Sequence, residues 1–313
     1  MPRILITGVD GFVGKYLADQ LAKNKDNEIH GSVRSGSEKI DKVILHACDI
    51  REVEHVNKLV NKVKPEVVFH LAAQGYVESS WEDPSTTLHT NVIGTSNLFE
   101  ALRQLKTLPT TLLAGSAEMY GLTDSSEPLT EDTTLNPKSP YAVSKVAQDF
   151  MGLQYFQTYE LPVIRMRAFN HTGPGRPAAY AFSRFSKLVA QIEVGKAEPI
   201  ISVRAADAIR DFTDVRDIVR GYQLAIEKCK PGQAYNICSG QGVGFQEVLD
   251  KLIAISKSKN IKIVKDPTGP RPTDGGKVVG DFTKFKKITG WQPEIDILGT
   301  TLPEMLEYWR ENL

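Results

Sequence analysis

The stretch that decides the fold is Arg3-Ile-Leu-Ile-Thr-Gly-Val-Asp-Gly-Phe-Val-Gly14. Its apolar run at 4–6 predicts a β-strand, and the apolar spacing of residues 12–23 predicts a helix soon after it. Three glycines separate the two in GxxGxxG spacing: Gly8, Gly11 and Gly14. A tight turn, a close approach of backbone to a pyrophosphate and close helix–strand packing each require glycine. The stretch therefore predicts a dinucleotide site at a helix N-terminus, where free N–H groups attract phosphate.

The rest of the first half continues this alternation. Apolar runs predict strands at 28–33, 43–45, 67–71, 111–114 and 162–166, and helical spacing predicts helices at 53–63, 88–105 and 140–159. Such alternation is typical of an α/β, Rossmann-type doubly wound parallel sheet. The rhythm breaks after Phe169, which indicates a smaller, discontinuous lobe. We expect residues 1–168 and a returning segment, 212–238, to form the sheet domain, and residues 169–211 and 239–313 to form the lobe.

Composition excludes several classes of function. Lys+Arg and Asp+Glu are equal at 38 each, so no overall basic field favours nucleic acid as a partner. The histidines and three cysteines show neither HExxH nor CxxC spacing, and we predict no metal site and a reducing compartment. We also predict no signal peptide, and the printed sequence has no apolar run of about 18 residues or more. We expect a cytoplasmic protein that does not bind membranes.

The end of the second predicted strand indicates which dinucleotide binds. Proteins that bind NAD place a carboxylate there to hold the ribose hydroxyls. This sequence reads His30-Gly-Ser-Val-Arg-Ser-Gly-Ser37, with an arginine, Arg34, and several hydroxyls instead. An arginine suits a 2′-phosphate, so NADP(H) is favoured, while NAD(H) stays open. Asp49, after the third strand, is placed to accept from an adenine amino group, and the small residues of Leu71-Ala-Ala-Gln74 allow the backbone to approach the cofactor.

A tyrosine and a lysine four residues apart open the predicted helix at 140–159. In Ser139-Pro-Tyr-Ala-Val-Ser-Lys145 the spacing places Tyr141 and Lys145 on one helix face. An ammonium beside a phenol favours the phenolate, which would bring the proton exchange of Tyr141 nearer to neutrality. Ser116, in the turn Gly115-Ser-Ala-Glu-Met-Tyr-Gly121, is the third candidate.

These motifs together resemble the extended short-chain dehydrogenase/reductases that act on nucleotide sugars. The resemblance covers essentially the whole chain and rests on the glycine triplet, Asp49-Ile50, Leu71-Ala-Ala73, Asn91, Ser116, the Tyr141–Lys145 pair and Gly290-Trp-Gln-Pro293. Within that family, Phe169-Asn-His-Thr-Gly-Pro-Gly175 and Arg210-Asp-Phe-Thr-Asp-Val-Arg-Asp217 look like the GDP-4-keto-6-deoxy-D-mannose reductases. The GDP-mannose 4,6-dehydratases are close relatives.

The resemblance implies a role for each matching residue. The implied catalytic residues are Ser116, Tyr141, Lys145 and Glu118. The cofactor-binding residues, including those predicted above, are Gly8, Asp10, Gly11, Phe12, Val13, Gly14, Arg34, Asp49, Ile50, Leu71, Ala72, Ala73, Gln74, Tyr141, Lys145 and His171. The implied substrate-binding residues are Ser116, Glu118, Asn170, Arg176, Arg210 and Arg271. Of these, Asn170 and Arg210 match positions that contact the substrate diphosphate, and Arg271 is a candidate second clamp.

The implied reaction is reduction of the C4 ketone of a GDP-4-keto-6-deoxyhexose with NADPH, giving a product of the GDP-D-rhamnose type. Tyr141 would donate the proton, Lys145 would lower the pKa of Tyr141, and Ser116 would polarise the carbonyl. The alternative is a GDP-mannose 4,6-dehydratase, which uses a polar pair after the serine; here the pair reads Ala117-Glu118, so only the base is present. A 4-epimerase and a catalytically silent NADP-binding regulator are further alternatives.

Two predicted helices could join a second copy of the chain. Residues 88–105 and 147–159 match the segments that family members pair into a four-helix bundle between subunits. The resemblance therefore implies a homodimer, with apolar contacts from Leu98, Leu102, Leu153 and Phe156. The alternative is that these residues only cover the sheet.

Overall fold

The computed structural model describes residues 2–36, 39–122, 127–269 and 275–313. The elements of the first half are β1 (Arg3–Thr7), α1 (Phe12–Leu21), β2 (Glu28–Val33), β3 (Val43–Ala47), α2 (Val53–Val63), β4 (Val67–His70), α3 (Val77–Glu82), α4 (Pro84–Leu88), α5 (Gly94–Leu102), β5 (Thr110–Ala114), α6 (Pro140–Tyr159) and β6 (Val163–Ala168). Those of the second half are β7 (Asn170–Thr172), α7 (Ala181–Glu193), β8 (Ile200–Val203), β9 (Ile209–Asp214), α8 (Val215–Lys228), β10 (Ala234–Ile237), β11 (Gly242–Gly244), α9 (Phe245–Ile255), β12 (Lys262–Lys265), β13 (Lys277–Val278), α10 (Thr283–Thr289) and α11 (Leu302–Glu311).

A parallel sheet in the order β3–β2–β1–β4–β5–β6–β10 forms the centre of the described structure. Helices pack on both faces, so the prediction of a Rossmann-type doubly wound sheet is confirmed. The chain leaves β1 in one direction for β2 and β3 and returns on its other side for β4. Ligands of such sheets bind beyond the carboxyl ends of the strands, at the point where the order reverses. That point lies between β1 and β4.

The helix predicted at 88–105 is longer at its start and interrupted. Helical backbone begins at Pro84, because Pro84 stands at the first helical position and the Asp83 side chain accepts from the Thr86 N–H (2.9 Å). A π-helical turn, His89–Ile93, separates α4 from α5. Such turns often mark functional positions, and this one carries Asn91.

The second half adds a separate apolar core and returns to the sheet. Side chains of α7, β8, α9 and α11 share one buried cluster, while β7, β9, β11 and β13 form a small mixed sheet. β10 pairs with β6 at the sheet edge, and Trp291 is fully buried with its Nε1–H donating to Asp217 O (3.0 Å). The division of the chain into a sheet domain and a lobe at the predicted boundaries stays a prediction.

Two of the four residues predicted to face a partner subunit lie inside the chain's own core. Leu98 and Leu102 are 1% and 0% exposed and pack with residues of α2 and β4, so that part of the prediction is wrong. The exposed apolar side chains of this region are Trp81, Leu88, Ile93, Val143 and Phe150.

Among the described residues, no helix is long and apolar enough to span a bilayer, and no cluster of three potential metal ligands is found.

A buried ion cluster fixes α6 against the sheet. Asp149 of α6 accepts from Arg165 Nη1 (2.6 Å) and Arg167 Nη2 (3.0 Å) of β6, and all three side chains are buried. Arg167 also donates to Tyr120 OH (3.0 Å). Because α6 carries Tyr141 and Lys145 in its first turns, the cluster helps to set their height above the sheet edge.

Removing the carboxylate from this cluster should destabilise the fold strongly. Asp149→Ala leaves two guanidinium groups buried without their counter-charge, and we expect the free energy of unfolding to fall by about 3–5 kcal/mol. Urea titration measures it. The control is Glu307→Ala, which removes a carboxylate from an exposed pair with Arg310 and should cost less than about 1 kcal/mol. Equal losses in the two variants would contradict this account.

Candidate active site

A pocket of about 330 Å³ opens beyond the carboxyl ends of the sheet strands, between the sheet and the second half of the chain. Its volume falls within the range of small-molecule sites, about 300–1,000 Å³. The pocket brings together seven residues that the sequence predicts for catalysis, cofactor or substrate: Ser116, Glu118, Tyr141, Asn170, His171, Arg176 and Arg210.

Tyr141 and Lys145 stand on the first two turns of α6. The helix begins where Ser139 Oγ accepts from the Ala142 N–H (3.1 Å), with Pro140 at the first helical position. Lys145 is 5% exposed; its Nζ donates to Ala114 O (2.8 Å) and lies 5.9 Å from the centre of the Tyr141 ring. Burial lowers the pKa of Lys145 to about 8, so it still carries a proton at neutral pH.

The protonation of Tyr141 differs from the sequence-based expectation. Burial raises the pKa of its phenol above the ordinary value, while a hydrogen bond with Ser116 and the charge of Arg176 act in the opposite direction. The expected lowering of this pKa by Lys145 is not found, because desolvation of the phenolate is the larger effect. Tyr141 is therefore a protonated hydroxyl at neutral pH, suited to donate a proton.

The turn that follows β5 places Ser116 and Glu118 on the pocket wall. Ser116 precedes a short 3₁₀ turn, Ala117–Tyr120, and its Oγ accepts from the Glu118 N–H (3.2 Å). Ala117 is buried and carries no polar group. The position that precedes the candidate base therefore offers neither acid nor hydroxyl to a ligand.

The glycine turn has the geometry that a pyrophosphate site requires. Gly8 has φ +69°, and a Cβ there would lie 2.9 Å from Ala72 Cα. A Cβ on Gly14 would lie 2.5 Å from the Gly8 carbonyl oxygen, so close helix–strand packing excludes a side chain there too. Gly11 precedes α1 and offers no capping side chain, which leaves the first N–H groups of Phe12 and Val13 pointing out of the helix end. These residues fit a dinucleotide.

The other predicted cofactor residues follow neighbouring strands. Arg34 is exposed directly after β2, and the described residues 34–36 at this strand end include no carboxylate; Ser37 of the same stretch lies outside the described residues. Asp49 forms a bidentate pair with Arg51, whose hydrogen bonds lower the pKa of Asp49 to about 2. The carboxylate is therefore ionised and oriented. Its contact with adenine stays a prediction. Asp10 is exposed, and its contact with the cofactor likewise stays a prediction.

Asn91 holds the backbone after β4 in place. Its Oδ1 accepts from the Gln74 N–H (2.7 Å), and its Nδ2 donates to Gln74 O (3.1 Å) and to Ser144 Oγ (2.8 Å). The π-helical turn thereby ties the predicted cofactor segment Leu71–Gln74 to α6. Ile50, also predicted to contact cofactor, packs against Gly94 at the start of α5.

The far wall of the pocket carries His171 and Arg176. His171 Nδ1–H donates to Phe169 O (3.0 Å), and burial together with the charge of Arg176 lowers the pKa of His171 to about 4. The Arg176 guanidinium lies over the rings of Tyr180 (3.5 Å) and Phe12 (4.8 Å), which links this wall to the glycine turn. Asn170 stands beside His171 on β7.

Arg210 binds backbone in this structure. It donates to the carbonyl oxygens of Ile209 (2.9 Å), Gly276 (2.8 Å) and Gly275 (2.8 Å). The guanidinium thereby holds the segment that leads into β13. Its predicted contact with a diphosphate stays a prediction, and Arg271, the second predicted clamp, lies outside the described residues.

Several residues that line the pocket were not predicted from the sequence, among them Tyr76, Glu78, Tyr180 and Arg204. Arg204 Nη1 donates to Glu78 (3.1 Å), and the rings of Tyr76 and Tyr180 meet edge to face at 5.6 Å. The position of Tyr76 and Glu78 directly after Leu71–Gln74 was a usable signal, because loops beyond strand ends carry ligand contacts. The sequence holds no comparable signal for Arg204.

The buried, neutral His171 should make stability depend on pH. The unfolded chain binds a proton at this histidine below an ordinary pKa of about 6.5, and the native protein only below about 4. The unfolded state therefore binds more protons in this window, and stability falls as the pH falls through it. Between about pH 7.5 and pH 5 we expect His171 to contribute a loss of about 1–2 kcal/mol.

Urea titration at these two pH values measures that contribution. The loss should be smaller by this amount in His171→Gln and unchanged in the control His55→Gln, which alters an exposed histidine of α2. An identical pH dependence in His171→Gln and the wild type would contradict the prediction.

Comparison with known proteins agrees with this geometry. The sequence model of the family described as GDP-mannose 4,6 dehydratase matches residues 5–302. The chain is 31% identical over 312 residues to the GDP-6-deoxy-D-mannose reductase of Pseudomonas aeruginosa, covering 99% of this chain and 98% of that protein. It is 29% identical over 340 residues to a GDP-mannose 4,6-dehydratase of Vibrio cholerae, covering 94% and 90%.

Solved structures share the fold over the full length. RMD from Pseudomonas aeruginosa complexed with NADPH gives a TM-score of 0.87 at 31% identity, with 100% of both chains covered. The UDP-glucose 4-epimerase of Thermotoga maritima gives 0.89 at 26% identity, with 99% of both covered. On the family match and the full-length identity, this protein belongs to the GDP-mannose 4,6 dehydratase family of NAD(P)-dependent extended short-chain dehydrogenase/reductases.

Proposed function

We propose that this protein reduces the C4 ketone of a GDP-linked 4-keto-6-deoxyhexose, giving a nucleotide sugar of the GDP-D-rhamnose type. The observation that carries the proposal is the pocket wall itself. Ser116 and Tyr141 line the same wall there, and the buried Lys145 follows Tyr141 by one turn of α6, while Ala117 leaves the wall without the second polar group that a dehydration would use.

The roles of the chain's own residues follow from their chemistry. Ser116 donates a hydrogen bond to the substrate carbonyl oxygen and polarises it. Tyr141, protonated at neutral pH, gives its proton to that oxygen as negative charge develops. Lys145, still charged at neutral pH, favours the phenolate that remains and holds the ribose of the cofactor. Bound NADPH supplies the hydride.

The cofactor assignment rests on two features of the chain. The glycine turn accommodates a pyrophosphate at the start of α1, and Arg34 stands where a carboxylate would hold a ribose. The similar Pseudomonas aeruginosa reductase carries NADPH in its structure, which supports NADP(H) here. Several neighbours are complexes with NAD, so NAD(H) is the second choice.

The charge of the pocket supports a diphosphate-linked substrate. Arginine and lysine side chains outnumber carboxylates among its lining residues: Lys138, Arg176, Arg184, Arg204 and Arg210 against Glu78 and Glu118. Guanidinium groups match phosphate oxygens in geometry as well as charge. The guanine base and the hexose are inferred from the names of the similar proteins.

A GDP-mannose 4,6-dehydratase is the second candidate, because Glu118 lines the pocket. In that reaction Glu118 would remove the C5 proton, and the cofactor would be regenerated within each turnover. A 4-epimerase fits less well, since it keeps NAD tightly bound and Arg34 favours NADP(H).

Three buried, reduced cysteines support a cytoplasmic enzyme.

Two variants separate reduction from dehydration. With GDP-4-keto-6-deoxy-D-mannose we expect the NADPH absorbance to fall, and with GDP-mannose alone to stay constant. Tyr141→Phe should lower kcat by about 10²- to 10⁴-fold, because the proton donor is lost. Glu118→Gln should leave kcat within roughly threefold, because reduction requires no base at C5. Conversion of GDP-mannose to a ketone, abolished in Glu118→Gln, would establish the dehydratase instead.

We also propose that the exposed apolar face formed by Trp81, Leu88, Ile93, Val143 and Phe150 pairs with its copy in a homodimer through a four-helix bundle. These side chains are 38% to 55% exposed, which is unusual for a group of large apolar residues. Light scattering during size exclusion should give a dimer for the wild type and a monomer for Phe150→Glu. The control Val194→Glu, at another exposed apolar site, should stay dimeric. A monomeric wild type would contradict the proposal.

A further inference from the structure

His70 is a buried histidine for which the proposed reaction has no direct use. It is the last residue of β4 and is 2% exposed. Its Nδ1 lies 2.7 Å from the hydroxyl of Thr7, at the end of β1, and its Nε2 lies 2.9 Å from the hydroxyl of Thr95, in the first turn of α5. The imidazole thus connects β1, the strand that precedes the glycine turn, to helix α5.

The surrounding bonds fix which ring nitrogen carries the proton. The Thr95 hydroxyl donates to Asn91 O (2.6 Å), so towards His70 it can only accept, and Nε2 is the protonated nitrogen. Nδ1 of the neutral ring then accepts from the Thr7 hydroxyl, which itself accepts from the Ala72 N–H (3.1 Å). Burial keeps the ring neutral by lowering the pKa of His70 to about 3.

Each arm of the imidazole reaches one part of the candidate site. Through Thr7 it reaches Ala72, whose backbone meets the turn at Gly8 so closely that a Cβ on Gly8 would lie 2.9 Å from Ala72 Cα. Through Thr95 it reaches Gln148, whose Nε2 donates to the same hydroxyl (2.6 Å). Gln148 is on α6, close in sequence to Lys145.

We infer that His70 is a positioning residue that sets the cofactor cradle and the catalytic helix in register through two opposed hydrogen bonds. The inference rests on the proposed function for its catalytic half. This role requires a side chain that accepts a hydrogen bond from Thr7 and donates one to Thr95, and a neutral imidazole does both. Lys145 and Asp149 fix α6 against β5 and β6, whereas His70, together with Asn91, connects that helix to the strands of the β1–β4 crevice.

Two substitutions each preserve one arm. In His70→Asn the side-chain carbonyl takes the place of Nδ1 and still accepts from Thr7, but nothing reaches Thr95. In His70→Gln the amide nitrogen takes the place of Nε2 and still donates to Thr95, but Thr7 loses its acceptor. His55→Gln is the matched control, an exposed histidine outside the site. For each folded variant, fluorescence titration gives the Kd of NADPH, and assays at saturating NADPH give kcat.

We expect the two variants to separate binding from catalysis. His70→Gln should raise the Kd of NADPH about tenfold, the effect of one buried hydrogen bond, and keep kcat within about threefold. His70→Asn should lower kcat about tenfold and keep the Kd within about threefold. Histidine-selective ¹⁵N NMR of the wild type should show a constant Nε2–H tautomer from about pH 5 to pH 8. His55→Gln should match the wild type.

Other outcomes overturn the inference. If both variants have equal effects on Kd and kcat, His70 has only a structural role. The same conclusion follows if the variants lower stability and leave Kd and kcat unchanged. Titration of the ring between about pH 5 and pH 8 would contradict the assigned hydrogen bonds. The Kd and NMR measurements need no sugar substrate. A wild type that binds NADPH but reduces no ketone would therefore contradict the proposed function alone, and the Kd of the two variants would still decide the role of His70.

Discussion

The close approach of two backbones, at Gly8 after β1 and at Ala72 after β4, is the constraint on which the rest of the site depends. Their separation leaves no room for a Cβ at Gly8, and the positive φ there favours glycine independently. The order of the parallel sheet reverses between these strands, so the approach creates the crevice in which such sheets bind ligands. Thr7 and His70 hold the two strand ends at this distance through directed hydrogen bonds.

Burial dominates the electrostatics of the site. It raises the pKa of Tyr141, lowers that of Lys145 to about 8 and lowers that of His171 to about 4. Such an environment strengthens each remaining charge–dipole interaction, because little water screens it. A hydroxyl pair and one ammonium group, held by α6, can then act on a developing alkoxide without rearrangement of solvent. The buried cluster at Asp149 maintains this arrangement from behind the helix.

Local signals allowed much of this structure to be predicted. Ser139 and Pro140 mark the start of α6, and the predicted bounds of that helix, 140–159, match the structure. A glycine often marks a position where the backbone has a positive φ or a close neighbour, so the turn at Gly8 could also be predicted. The failures involve distant contacts. Leu98 was assigned to a subunit interface from the resemblance, which indicates which segments pair but not which side of each helix the chain's own core covers. Arg204 reaches the pocket from a segment without any local motif.

The most direct test of the proposed reduction measures where the hydride of NADPH is transferred. The protein is supplied with NADPH carrying deuterium at the transferable position, together with GDP-4-keto-6-deoxy-D-mannose, and the product is analysed by mass spectrometry and NMR. We expect one deuterium per product molecule, bonded to C4, and one NADPH consumed for each product molecule. A product without deuterium, or a ketone returned unchanged beside intact NADPH, would contradict the claim that this site reduces a 4-keto sugar.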